Sequence, residues 1–185
     1  MGPAELAAAR SGDPDAMDAL LRRIYPIILK RCGRLLPHAA DAEEAAQDAL
    51  LAVATKLGTY TGVGSFEGWV NAIATNHARS TYRSLKARGL TAQSPEIPDT
   101  ADNARTSVIA GTRIDLMEAI EALEDAHPET VNSFILREFA DYTYDEVATA
   151  TAAPMGTVKA RIHTARQFVR KWMRECDNIQ PTRRV

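Results

Sequence analysis

Apolar residues recur at helical spacing over most of the chain, which reads as almost all helix. Residues 4–9 form a first short helix candidate, and Gly12-Asp13-Pro14 then breaks the pattern, with Asp13 or Asp15 placed to cap the next helix. Residues 16–36 carry Leu20, Leu21, Ile24, Ile27, Ile28 and Leu35 as a broad apolar stripe; Pro26 lies inside it and should kink or divide the helix. A third helix starts at Asp41 and runs to about Leu57, with Glu43 and Glu44 in its first turn, where the helix dipole favours acids. Residues 58–65 are a glycine-rich loop. A fourth helix from Phe66 to about Leu85 places Phe66, Trp69, Val70, Ile73, Ala74 and His77 on one side.

From Arg88 to about Gly111 the periodicity fails, and residues 91–100 are polar with two prolines, the pattern of an interdomain linker. Helices over about 113–125 and 128–139 follow, Pro128 suiting a first helical position. A helix-turn-helix then begins at Tyr144: a short helix with Val147 and Ala148, a turn, and a second helix opened by Pro154 and Thr157. The expected organisation is all-α, with two small helical domains at residues 1–88 and 112–177, a flexible linker at 89–111 and a tail at 178–185.

The last helix has two faces. Val158, Ile162, Ala165, Val169 and Trp172 share the stripe that should pack inward, and Lys159, His163, Arg166 and Arg170 form an adjacent stripe with no acid. A solvated amphipathic helix would show the same stripes, but the charge distribution adds to the picture. From Thr157 to the end there are eight Lys or Arg and two acids, against two basic residues and ten acids from Thr112 to Gly156, although the chain as a whole carries only −2. A packed back and a basic front suit a DNA major groove, with Thr157 at the helix start and Arg161 flanking the opening turn.

The fourth helix has a second basic face. Asn76, Arg79 and Arg83 share it, Tyr82, Lys86 and Arg88 extend it, and between Asn76 and Leu90 there are four Lys or Arg and no acid. Lys and Arg attract phosphate, Asn pairs with base edges, and exposed aromatics stack on unpaired bases. Beside it, Tyr60 and Phe66 flank the glycine loop containing Thr61 and Gly62, a shape that suits a base taken out of the stack. The third helix is acidic instead: Asp41, Glu44 and Asp48 recur along one face with Gln47 beside them, and Leu50, Leu51 and Val53 make its apolar side. That acidic face is either solvated or a docking surface for a basic protein.

Other classes are excluded in turn. No apolar run approaches a membrane span, and no signal peptide pattern opens the chain. Cys32 and Cys176 stand far apart, without CxxC spacing, so neither a disulfide framework nor zinc is expected, and a reduced cytoplasmic location is the simplest reading. His38 is the only histidine near the acidic helix, so no metal site is expected there. GxSxG, phosphate-loop and HExxH patterns are missing, and neither enzymatic activity nor a cofactor is expected.

Three blocks in order resemble the extracytoplasmic-function (ECF) sigma factors, the small two-domain class of bacterial RNA polymerase sigma subunits. Residues 41–51, DAEEAAQDALL, resemble the family's D-A-E-D-hydrophobic-hydrophobic-Q-E block; residues 66–76, FEGWVNAIATN, resemble F-x-x-W-L-x-x-I-A-x-N; and YDEVA at 144–148 with GTVKAR at 156–161 resembles Y-x-E-I-A … G-T-V-K-S-R. The resemblance spans about residues 5–175. The chain departs from the family at Thr151-Ala152, where Leu-Gly is usual in the turn, so a looser or differently shaped turn is expected. It also has Ala45-Ala46 in place of larger apolar residues, thinning that interface, and Ser80 where Asp is usual.

The resemblance implies a sigma factor that directs core RNA polymerase to promoter DNA. It assigns Asp41, Glu44, Gln47, Asp48 and Leu51 to core polymerase binding. Tyr60, Thr61, Gly62, Asn76, Arg79, Tyr82, Arg83 and Lys86 would read and melt the minus-ten element, and Thr157, Lys159, Arg161, His163 and Arg166 would bind the minus-thirty-five element. An anti-sigma factor is the further partner the family implies. The alternative is a free-standing helix-turn-helix regulator, which leaves the acidic helix and the F-x-x-W block unexplained.

Overall fold

A computed structural model describes the backbone of residues 3–89 and 101–179, and the side chains of residues 4–89 and 113–176. Among the described residues every regular element is a helix: α1 Pro3–Arg10, α2 Pro14–Leu35, α3 Ala39–Lys56, α4 Phe66–Ala87, α5 Ala101–Ala126, α6 Pro128–Glu138, α7 Tyr144–Ala150 and α8 Met155–Ile179. A single 3-10 turn, Leu57–Thr59, follows α3. No helix among them is long and apolar enough to cross a membrane.

The start of α2 is set locally. The Asp13 carboxylate accepts from the backbone N–H groups of Asp15 and Ala16 at 2.9 and 3.1 Å, so Asp13 is the cap. Pro26 does not divide α2. Leu20 and Ile24 before it, and Ile28, Cys32 and Leu35 after it, are all buried in the same core, and that shared burial holds the helix together across the missing hydrogen bond. Packed against α2 and α4, α3 buries a run of small residues, Ala42, Ala45, Ala46 and Ala49. Ala45 and Ala46 are completely enclosed, so the small side chains bring the helices close rather than leaving space.

Two expectations about α3 and α5 change. Leu51 is not on the apolar side of α3 but points outward, 65% exposed, while Val53 carries the burial. The α5 helix begins at Ala101, well before residue 113, so the second part of the expected linker is helical. Alanines at 101, 104 and 110 favour helix, and no proline stops it after Pro98. Residues 90–100 and the tail from 180 lie outside the described residues.

The hydrophobic core runs continuously from one half of the chain to the other. Met117, Ile120 and Leu123 of α5 and Val131, Phe134 and Ile135 of α6 join the cluster that contains Leu20, Ile28, Val53, Val70 and Tyr82. The α5 helix packs on α2, and α6 on α4. A smaller cluster, with Ala72 of α4 beside Leu136, Ala140, Tyr142, Val147, Val158 and Ile162, ties α4 to the helix-turn-helix.

Candidate nucleic-acid and protein-docking surfaces

The helix-turn-helix is built by local rules. Thr143 caps α7 reciprocally: its hydroxyl accepts from Glu146 N–H at 3.2 Å, and its own N–H donates to the Glu146 carboxylate at 2.7 Å. The turn keeps the shape for which a glycine is suited. Ala152 sits at φ 48, and the Ala153 N–H returns to the Ala148 carbonyl at 3.1 Å, which closes the end of α7. At Thr151-Ala152, where the family usually has Leu-Gly, the alanine adopts the left-handed conformation at some steric cost.

On α8, Val158, Ile162 and Ala165 are fully buried, while Val169 and Trp172 are half-buried. Thr157, Lys159 and His163 are exposed, and Arg161 and Arg166 half-exposed. Tyr144, Lys159, Ala160, His163 and Arg166 line a shallow groove on this face. Arg166 is already engaged: its guanidinium donates to the Glu138 carboxylate at 2.6 and 3.0 Å and to the Tyr144 hydroxyl at 3.3 Å. Lys159 and His163 are thereby the outward basic groups of the groove.

The α3 face is open. Glu44, Gln47, Asp48 and Leu51 are exposed and Asp41 is half-buried. Leu51 is thus an apolar side chain set among carboxylates, with no core role.

The glycine loop and the far side of α4 are covered instead. Tyr60 is 8% exposed and packs against Phe66 and Trp69, with ring centroids 5.4 and 5.5 Å away. Its hydroxyl donates to the Gly64 carbonyl at 2.8 Å, so Tyr60 shapes the loop from beneath while Thr61 and Gly62 stay exposed. On α4, Asn76, Arg83 and Lys86 are exposed, and Arg79 is buried. Tyr82, expected as an exposed aromatic, is completely enclosed. Burial, and then the carboxylates of Glu118, Glu121 and Asp115 on α5, push its phenol well above the ordinary range. Burial draws the Arg79 pKa down and Glu124 offsets part of that effect. The ion pairs are Arg79 to Glu124 at 2.7 Å, Arg83 to Glu124 at 3.1 Å and Lys86 to Glu121 at 2.8 Å. Sequence reasoning did not single out Tyr142, Glu121 or Glu124, and no local signal marks them: they matter only through what they meet across the chain.

Residues 20–88 match the family model for sigma-70 region 2. The RNA polymerase sigma-H factor of Pseudomonas aeruginosa is 30% identical to this chain over 86% of it and 87% of that protein. The ECF RNA polymerase sigma factor SigE of Mycolicibacterium smegmatis is 27% identical over 88% of this chain and 65% of its own length. The ECF RNA polymerase sigma factor SigW of Bacillus subtilis is 25% identical over 90% and 93%.

Proposed function

Since the chain belongs to the sigma-70 family of RNA polymerase sigma factors, in its extracytoplasmic-function class, we propose a division of its surfaces between polymerase and promoter. The protein directs core RNA polymerase to specific promoters and carries out no chemistry of its own. Residues 1–88 act as region two and residues 112–177 as region four, joined through 89–111. Core polymerase docks on Asp41, Glu44, Gln47, Asp48 and Leu51, an acidic face with one apolar anchor at its edge. The loop at Tyr60, Thr61 and Gly62 and the α4 face of Asn76, Arg79, Tyr82, Arg83 and Lys86 engage the minus-ten strand. Thr157, Lys159, Arg161, His163 and Arg166 engage the minus-thirty-five duplex. An anti-sigma protein is the further regulator that membership of this family implies.

The observation that carries this reading is the contrast on one small chain between the exposed acidic face of α3, with Leu51 at its edge, and the exposed basic face of α8. One face suits a positively charged protein and the other suits DNA, and a free-standing repressor has use only for the second. Gel filtration with core polymerase, followed by sequencing of transcripts made by the mixture, tests it. Co-elution and promoter-specific starts are expected; a protein that elutes apart from core polymerase and adds no new start sites refutes the reading.

A further inference from the structure

Ala160 is the apolar member of the groove on α8, which it lines with Tyr144, Lys159, His163 and Arg166. It is exposed, and it stands two residues from each of the fully buried Val158 and Ile162, about 200° around the helix axis from both. Its methyl group therefore points straight away from the core. The groove wall beside it is set by the fold. Arg166 donates from Nε and Nη2 to one Glu138 carboxylate oxygen at 3.0 and 2.6 Å, and from Nη1 to the Tyr144 hydroxyl at 3.3 Å. The Arg137 guanidinium lies over the Tyr144 ring, 5.1 Å from its centroid, and is itself anchored on the Tyr142 carbonyl at 2.6 Å.

A methyl group neither donates nor accepts a hydrogen bond. Among the base edges of the major groove, the apolar group is the C5 methyl of thymine. The long side chains of Lys159 and His163 reach phosphates and base edges at a distance, whereas Ala160 touches only what comes into van der Waals contact with the helix itself. This chain has alanine where the family's G-T-V-K-S-R block has serine. A serine hydroxyl serves either kind of base edge, and a methyl group serves one.

Resting on the assignment above of α8 to the minus-thirty-five duplex, we propose that Ala160 is a specificity-determining residue. Its methyl group packs against the C5 methyl of one thymine, and the promoters of this protein carry a thymine at that place. The fixed wall of Arg166 and Tyr144 keeps α8 in one register, so one base pair meets the methyl rather than its neighbours. Burying one methyl group corresponds to about a fourfold change in affinity. For a direct contact, removing the group from either partner costs that factor, and removing it from both costs it only once.

The test uses the full chain bound to core polymerase. Transcription across a library randomised in the minus-thirty-five element identifies a strong promoter. Each thymine of that element, on either strand, is then replaced in turn by deoxyuridine, which removes the methyl group and no other major-groove atom. Affinity is measured by competition at one salt concentration, because phosphate contacts make it salt-dependent. The wild type is expected to lose about fourfold at one thymine. Ala160→Gly is expected to bind the unmodified promoter about fourfold more weakly and to make no distinction between thymine and deoxyuridine there. Its circular dichroism spectrum should stay helical, because Val158, Ile162 and Ala165 still hold α8 to the core. If it fails to fold, Ala160→Ser decides: its hydroxyl is expected to relax the thymine preference at that one base pair and to leave the others as they were. A selected element without a thymine, or a wild type indifferent to every methyl group, overturns the contact. A methyl dependence that survives in the glycine variant, or a thymine preference unchanged in the serine variant, overturns Ala160 as its source. A mixture that makes no promoter-specific starts removes the sigma reading and this one with it, whereas specific starts without methyl dependence remove this one alone.

Discussion

Leu51 offers the sharpest test of the α3 docking face. Among the described residues it is the large apolar side chain left exposed, at 65%. Fully burying a leucine contributes about 1.5–3 kcal/mol, so covering the exposed part at an interface contributes about 1–2 kcal/mol. Leu51→Ala should therefore weaken binding to core polymerase roughly 5- to 30-fold. The fold should hardly change, because the side chain leaves little void behind and alanine is the best helix former. Binding is measured by titrating a fluorescently labelled chain with core enzyme, and stability by thermal unfolding of the free protein. Weaker binding with an unchanged midpoint is the expected pair of results. Unchanged affinity would refute the docking assignment, and a midpoint lowered by several degrees would show that Leu51 supports the fold instead.

Three further outcomes follow from the structure. Lys159→Ala and Arg161→Ala should each lower the slope of log affinity against log salt for minus-thirty-five DNA by roughly one if the residue contacts phosphate, or cost about 1–3 kcal/mol at one base position if it reads a base; transcription across a library randomised in that element separates the two, and wild-type behaviour of both variants would leave the face merely solvated. Ala152→Gly should stabilise the protein by about 0.5–1 kcal/mol, since relief of left-handed strain at φ 48 exceeds the added freedom of the unfolded chain, and a lower unfolding midpoint would contradict it. Cys32 is completely enclosed, and burial pushes its thiol from 9.0 up to about 11. The protonated form is the folded one, so its contribution is whole below pH 9 and is lost as pH rises through 11, amounting to about 2–3 kcal/mol. Native protein at pH 8 should then protect Cys32 from iodoacetamide, and rapid double labelling without unfolding would argue against that burial.

Much of the architecture could be read from local spacing. The stripe of Val158, Ile162 and Ala165, the cap at Asp13 and the start of α6 at Pro128 depend on residues within a few positions of one another, and those rules act before any tertiary contact forms. The identity of the blocks at 41–51, 66–76 and 144–161 was likewise a property of the chain alone. Periodicity could not say which of two apolar-looking positions faces inward. Leu51 and Val53 stand two residues apart on α3, and only the packing of α2 and α4 around the alanine seam turned one outward and the other in. Nor could it say whether a basic face is free. Arg79 and Arg83 read as open cations because no acid lies near them in sequence, yet Glu124 meets them from 45 and 41 residues away. Pro26 could stay inside one helix because the core grips both sides of it, an energy that local propensity does not contain. The sequence alone determined which helices form and what chemistry their faces carry; the tertiary structure decided which of those faces meet solvent, because a side chain's exposure depends on partners brought together only by folding.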